Sequence, residues 1–151
     1  ARSVMPSMML SPMVIARKMG MTLKVTSGAM ATLLKEAANA APDECCGLLL
    51  GQAGRIEEAR PAANIAPDPA RHFEIDPAAL FAAHRAARAG GPELIGYYHS
   101  HPDGHPLPSA TDCAHASGDN RVWAIVAGGE VRFWRDGESG LAALSYDVDA
   151  G

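Results

Sequence analysis

The run Cys45-Cys-Gly-Leu-Leu-Leu-Gly51 carries no charge and no polar side chain other than its thiols. A strand with one wet face alternates apolar and polar residues, whereas an unbroken apolar run needs cover on both faces. Glu93 to Tyr98 reads as a second core strand. Two such strands demand helices to cover them, and the chain supplies candidates. Gly28 to Ala40 places Met30, Leu33, Leu34 and Ala37 at helical spacing, with Ser27 at the N-cap position and Pro42 beyond the end. Asp76-Pro77 opens a second helix with proline at its first position, running to Ala89 and closed by Gly90-Gly91. Ser109 starts a third, short one, to about Ala116.

The remaining strands follow from alternation and turn residues. Thr22 to Thr26 is a short strand, and Gln52 to Gly54 turns the chain into another over Arg55 to Arg60. Pro61 to Pro69 reads as loop, followed by a short strand at His72 to Ile75. Val122 to Ala127, Val131 to Arg135 and Leu141 to Val148 read as three closing strands joined by glycine turns. The expected fold is mixed α/β: one domain, a curved mixed sheet and two to three flanking helices.

The chain has 151 residues, with 13 Lys+Arg against 17 Asp+Glu and a formal charge of −4. One domain fits that length, and the balance lacks the basic footprint of a nucleic-acid binder. Three cysteines are too few for a disulfide framework, so a reducing cytoplasm is expected. No segment reaches the roughly 20 apolar residues of a membrane-spanning helix. Residues 1–20, rich in methionine and interrupted by Pro6 and Pro12, read as a disordered extension. The domain is expected over residues 21–149.

The chemistry concentrates in Tyr98-His-Ser-His-Pro-Asp-Gly-His-Pro-Leu-Pro-Ser-Ala-Thr-Asp112. His99 and His101 lie two apart at a strand end, so both imidazoles face one side. Ser109 and Asp112 lie three apart at a helix start and share a face. Pro102, Pro106 and Pro108 restrict the loop between the pairs. Two histidines and an aspartate suit Zn²⁺, and three protein ligands leave a fourth position open. Each pair alone also has a purely structural reading, since Ser-x-x-Asp before a helix is a capping box. Other zinc chemistries are excluded by spelling: there is no His-Glu-x-x-His, and no His-x-Glu with a later Pro-Cys-x-x-Cys.

This spacing resembles the JAMM motif of the MPN-type (JAB-domain) zinc metallopeptidases, small stand-alone prokaryotic type. The family places a glutamate before an early apolar strand, and Glu44-Cys-Cys-Gly-Leu-Leu-Leu-Gly51 matches that arrangement. The likeness covers about Met21 to Val148. It implies a cytidine-deaminase-like, JAB1/MPN-type α-β-α architecture, with His99, His101 and Asp112 binding one zinc ion per chain. By the same resemblance Glu44 would be general base and acid, and Ser109 would steady the oxyanion. The implied reaction is hydrolysis of an amide after the C-terminal Gly-Gly of a ubiquitin-like or sulfur-carrier protein. Two alternatives are an inactive MPN scaffold and a zinc hydrolase of small amides.

Outside the motif, Cys45, Cys46 and Cys113 are expected to pack as small hydrophobes, and Trp123 and Trp134 to lie in the core. His72, His84 and His115 are expected to face solvent. His105 is a candidate substrate contact, and Asn64 to Pro69 a candidate border of the cleft.

Overall fold

Strand β1 (Leu23–Thr26) runs directly into helix α1 (Ser27–Ala40) in the computed structural model, which describes residues 22–150. The expected extension over residues 1–20 lies outside the described residues. The N-cap of α1 is Thr26 rather than Ser27: its side-chain oxygen accepts the Ala29 N–H at 3.1 Å. A cap residue needs extended backbone, and Thr26 is held extended by pairing with Asp149 across the sheet.

The chain continues through β2 (Cys46–Gln52), β3 (Arg55–Ala62), α2 (Pro77–Arg88) and β4 (Glu93–Ser100). Then come α3 (Ala110–His115), β5 (Val122–Ala127), β6 (Glu130–Gly137), β7 (Gly140–Leu144) and β8 (Tyr146–Asp149). Asp76 caps α2 by accepting the Ala78 N–H at 3.0 Å, with Pro77 in the first turn as expected. Strand β3 runs through Pro61, which was expected to begin a loop. The proline fits because β1 pairs with β3 only at Arg55 and Ile56, so no outer partner needs the missing N–H.

All eight strands form one sheet in the order β7-β6-β5-β4-β2-β3-β1-β8. The pairs β4/β5, β1/β3 and β1/β8 are parallel and the others antiparallel. The single strand expected over Leu141 to Val148 is therefore two. Strand β7 closes one edge against β6, and β8 closes the other against β1, with only Ser145 between them. One residue can join opposite edges only if the sheet curls round on itself. The seam is held by the Tyr146 hydroxyl donating to the Val131 carbonyl at 3.1 Å and by Tyr146 packing edge-on to Phe133. The strand expected at His72 to Ile75 reduces to a single bridge between Ile75 and Asn64.

The apolar run of β2 is covered on both faces, as its pattern requires. Leu49 joins Val25, Ile56, Tyr98 and Phe133 beneath Ala29 and Leu33 of α1. Leu48 and Leu50 pack with Leu94 against Ala83 of α2 on the opposite face. Each fully buried leucine contributes roughly 1.5–3 kcal/mol. Gly47 leaves room for the Tyr98 ring, which a Cβ there would overlap. Trp123 is buried and Trp134 half-buried. Among the described residues no helix is long and apolar enough to cross a membrane.

Candidate metal centre

The strand ends that meet at one side of the sheet build the site. In β4 the side chains alternate, so Tyr98 enters the α1 face while Tyr97 packs toward α2. His99 follows Tyr97 by two and shares its face. It is 1% exposed, stacked on Phe73 (ring centroids 4.2 Å, 15° between planes) and met edge-on by Trp123 at 6.0 Å. His101 lies just beyond the strand, its N–H donating to Val126 O at 2.8 Å. Its Nδ1–H donates to the His105 carbonyl at 2.8 Å. That bond sets the tautomer and leaves the Nε2 lone pair facing inward.

Helix α3 delivers the third group. Ser109 and Asp112 form a full capping box: Ser109 Oγ accepts the Asp112 N–H at 3.0 Å, and Asp112 Oδ2 accepts the Ser109 N–H at 3.0 Å. Asp112 Oδ2 also lies 3.1 Å from His99 Nε2 and 3.2 Å from His101 Nε2, and the two Nε2 atoms are 3.2 Å apart. Three donors held at about 2.0–2.1 Å in a tetrahedron around Zn²⁺ lie roughly 3.3 Å from one another. The observed triangle has that size, and its two imidazoles and one carboxylate are a zinc-type donor set. His99, His101 and Asp112 can hold a metal ion.

Electrostatics favour the ligand state of Asp112 and His99, while His101 is biased toward its protonated form. Burial opposes ionisation of Asp112, but hydrogen bonds to His101 and His99 outweigh it and hold the carboxyl far below the usual carboxylate range. Burial lowers His99, with Asp112 opposing, so this ring tends to neutrality. His101 is also penalised by burial, yet Asp112 and the His105 carbonyl raise it above the ordinary histidine value. The rings differ because His99 is fully enclosed and His101 is partly open to the cleft.

Glu44 lies two residues before β2, the strand next to β4, where Cys46 pairs with His99. It is 9% exposed. Burial pushes its carboxyl up to about 7; His101 lowers it and Asp112 adds to the rise. Its main chain is tied at both ends. The Glu44 N–H donates to Pro69 O at 2.7 Å, and Asn64 Nδ2 donates to Glu44 O at 3.0 Å. Glu44 and Ser109 line the same cleft of about 550 Å³ as His101 and Asp112. All five motif residues are thus brought to one place.

The neighbouring residues differ from expectation in instructive ways. His105 contributes its main-chain carbonyl to His101. His115, expected in solvent, is exposed but lines the cleft, one helical turn beyond Asp112. That i, i+3 spacing was a usable signal. Cys113, expected to pack, is exposed because α3 gives its buried face to Asp112. Cys45 and Cys46 are buried, and all three thiols are free. The loop after Asn64 does border the cleft, through Ala66 and Pro67, while Asn64 itself pins that loop from behind. Phe73 gave no sequence signal, since only folding sets it against His99.

A curled mixed sheet in which the end of a central strand and the first turn of α3 bring three donors together defines an α/β domain built around a candidate metal centre. The model of the prokaryotic homologs of the JAB domain matches residues 26–137, and the chain belongs to that family. It is similar to the desampylase of Haloferax volcanii, 38% identical over 91 residues, 59% of this chain and 66% of that protein. It is similar as well to a probable TtuB-protein conjugate cleaving protease of Thermus thermophilus, 35% identical over 97 residues. That match covers 64% of this chain and 65% of the relative, so in both cases just under two thirds of the relative's length is spanned. A JAB1/MPN domain protein from Archaeoglobus fulgidus shares the fold, with 20% identity, a TM-score of 0.59 and coverage of 84% of this chain and 99% of that one. The JAB1/MPN architecture implied by the motif is the architecture observed.

Proposed function

We propose that this chain is a zinc-dependent peptidase or isopeptidase. Its substrate class is an amide formed on the C-terminal Gly-Gly of a ubiquitin-like or sulfur-carrier protein. The observation that carries this reading is the triangle of His99 Nε2, His101 Nε2 and Asp112 Oδ2, with Glu44 and Ser109 in the same cleft. The two relatives named for desampylation and for cleaving protein conjugates support the substrate class.

His99, His101 and Asp112 would hold one zinc ion per chain. When bound, zinc supplies a Lewis acid able to bring water close to hydroxide at neutral pH. Glu44, buried in the same cleft, would take the proton of the attacking water and return it to the leaving nitrogen. The C–N bond breaks, leaving the carrier's C-terminal carboxylate and a free amine. The Ser109 hydroxyl accepts from Asp112 but keeps its own proton. Capping therefore does not consume the donor that would steady the oxyanion. The catalytic domain is assigned to residues 21–149, with 1–20 as an extension, and the free thiols fit a cytoplasmic setting.

Zinc per chain by elemental mass spectrometry tests this, on protein purified without chelator and beside Asp112→Ala. One zinc per wild-type chain, lost in the variant, is expected together with chelator-sensitive cleavage of a Gly-Gly-linked carrier conjugate. No zinc, with none taken up on addition, overturns the catalytic reading in favour of a scaffold.

A further inference from the structure

A second, smaller concavity lies behind the metal ligands. Its walls are Phe73 and Ile75 of the cleft loop, Leu80 of α2, Tyr97 of β4 and Trp123 of β5, with His115 of α3 at its rim. His99 forms part of the floor, and Phe73 and His115 also line the main cleft, so the two spaces adjoin. Its volume is about 240 Å³, below the roughly 300–1,000 Å³ of small-molecule sites. That is room for one side chain. No carboxylate, lysine or arginine lines it, so an ionised group entering would lose water without gaining a fixed opposite charge. Phe73, Ile75, Leu80 and Tyr97 are only half-buried, leaving apolar surface uncovered in a concave place.

We propose that this pocket selects the residue that supplies the leaving amine, by taking one apolar side chain of about leucine or methionine size. The inference rests on the hydrolase reading above. A carrier ending in Gly-Gly has no side chain near the scissile bond on its acyl side. The side chain nearest the scissile bond is then the one on the leaving side, and it is the one assigned to the pocket beside the metal ligands. The preferred leaving group is an α-amine on an apolar residue, rather than the unbranched ε-amine of a lysine.

Cleavage and binding test the pocket separately. A ubiquitin-like carrier is extended past its terminal Gly-Gly by one amide-capped leucine, by alanine, or by lysine joined through its ε-amine. The leucine form is expected to exceed the other two by about tenfold or more in kcat/KM. Leu80→Trp fills the pocket from its wall and His115→Trp from its rim, and both bring the leucine-to-alanine ratio toward one. Calorimetry of N-acetyl-Gly-Gly-leucinamide against the alaninamide is expected to show the same preference, again lost in both variants. A wild-type ratio near one in cleavage and in binding overturns the pocket, even where the carrier is cut. A ratio that neither variant changes overturns it too. A binding preference that both variants abolish, with no carrier cut, sustains the pocket and sinks the hydrolase reading instead.

Discussion

Ser109 and Asp112 hold each other at the first turn of α3, each side chain accepting the other's main-chain N–H at 3.0 Å. The same Asp112 oxygen that closes this box faces both histidines, so the helix start and the candidate metal triangle are one construction. Ser109→Ala removes both the cap and the hydroxyl donor. It is expected to lower stability by about 1 kcal/mol and kcat by roughly 10²–10³-fold. Ser109→Asp restores a capping acceptor without a donor. Thermal melts should then recover while turnover does not; equal recovery of both would reduce Ser109 to a cap.

Glu44 carries a pH signature of opposite sign to that of most carboxylates. Its folded pKa is raised from 4.5 to about 7 by burial first, with His101 opposing and Asp112 adding. The metal-free fold thus keeps this proton more tightly than the unfolded chain does. Stability from this group is complete below about pH 4.5 and is lost as pH rises through 7, by up to about 3 kcal/mol. Glu44→Gln should raise the melting temperature of metal-free protein at pH 8 and leave it unchanged at pH 4. In the zinc-loaded protein the same change should lower kcat by about 10²–10⁴-fold. A variant that melts no higher at pH 8 than wild type would show that burial does not penalise this carboxylate.

Asn64 uses its full hydrogen-bonding capacity. Nδ2 donates to the carbonyls of Glu44 and His72, and Oδ1 accepts the N–H groups of Ala66 and Glu74, all at 3.0 Å. It ties the turn that carries Glu44 to the loop that carries Phe73. Asn64→Ala leaves four main-chain groups without this partner, at about 1–3 kcal/mol. Because the candidate metal donors stand on β4, α3 and the residue after β4, zinc content should remain near wild type. Turnover should fall by roughly tenfold to a hundredfold as Glu44 loses its placement. Loss of zinc in step with activity would instead mean that Asn64 supports the ligands.

Much of this architecture is legible in short-range pattern. The doubly apolar run of β2, Pro77 opening α2 and the His-x-His-x7-Ser-x-x-Asp spacing each report a local constraint: burial on two faces, a fixed φ, a shared side of a strand or helix turn. Where a pattern is shared by two structures, local reading fails. Leu141 to Val148 alternates like one strand because β7 and β8 both alternate; the change of partner at Ser145 is a property of the curled sheet. In isolation Ser27 is the better cap and Thr26 an acceptable one, and pairing to β8 decides for Thr26.

Which side chains can do chemistry is written locally, since donor type and i, i+2 or i, i+3 spacing are properties of the chain. Their environment is not local. Burial that brings Glu44 close to neutrality, the Phe73 ring laid on His99, the His105 carbonyl that sets the His101 tautomer and the apolar pocket under His115 all join residues from separate elements. Desolvation, ring stacking and pocket shape arise from groups distant in the chain, and they exist only once the sheet has closed.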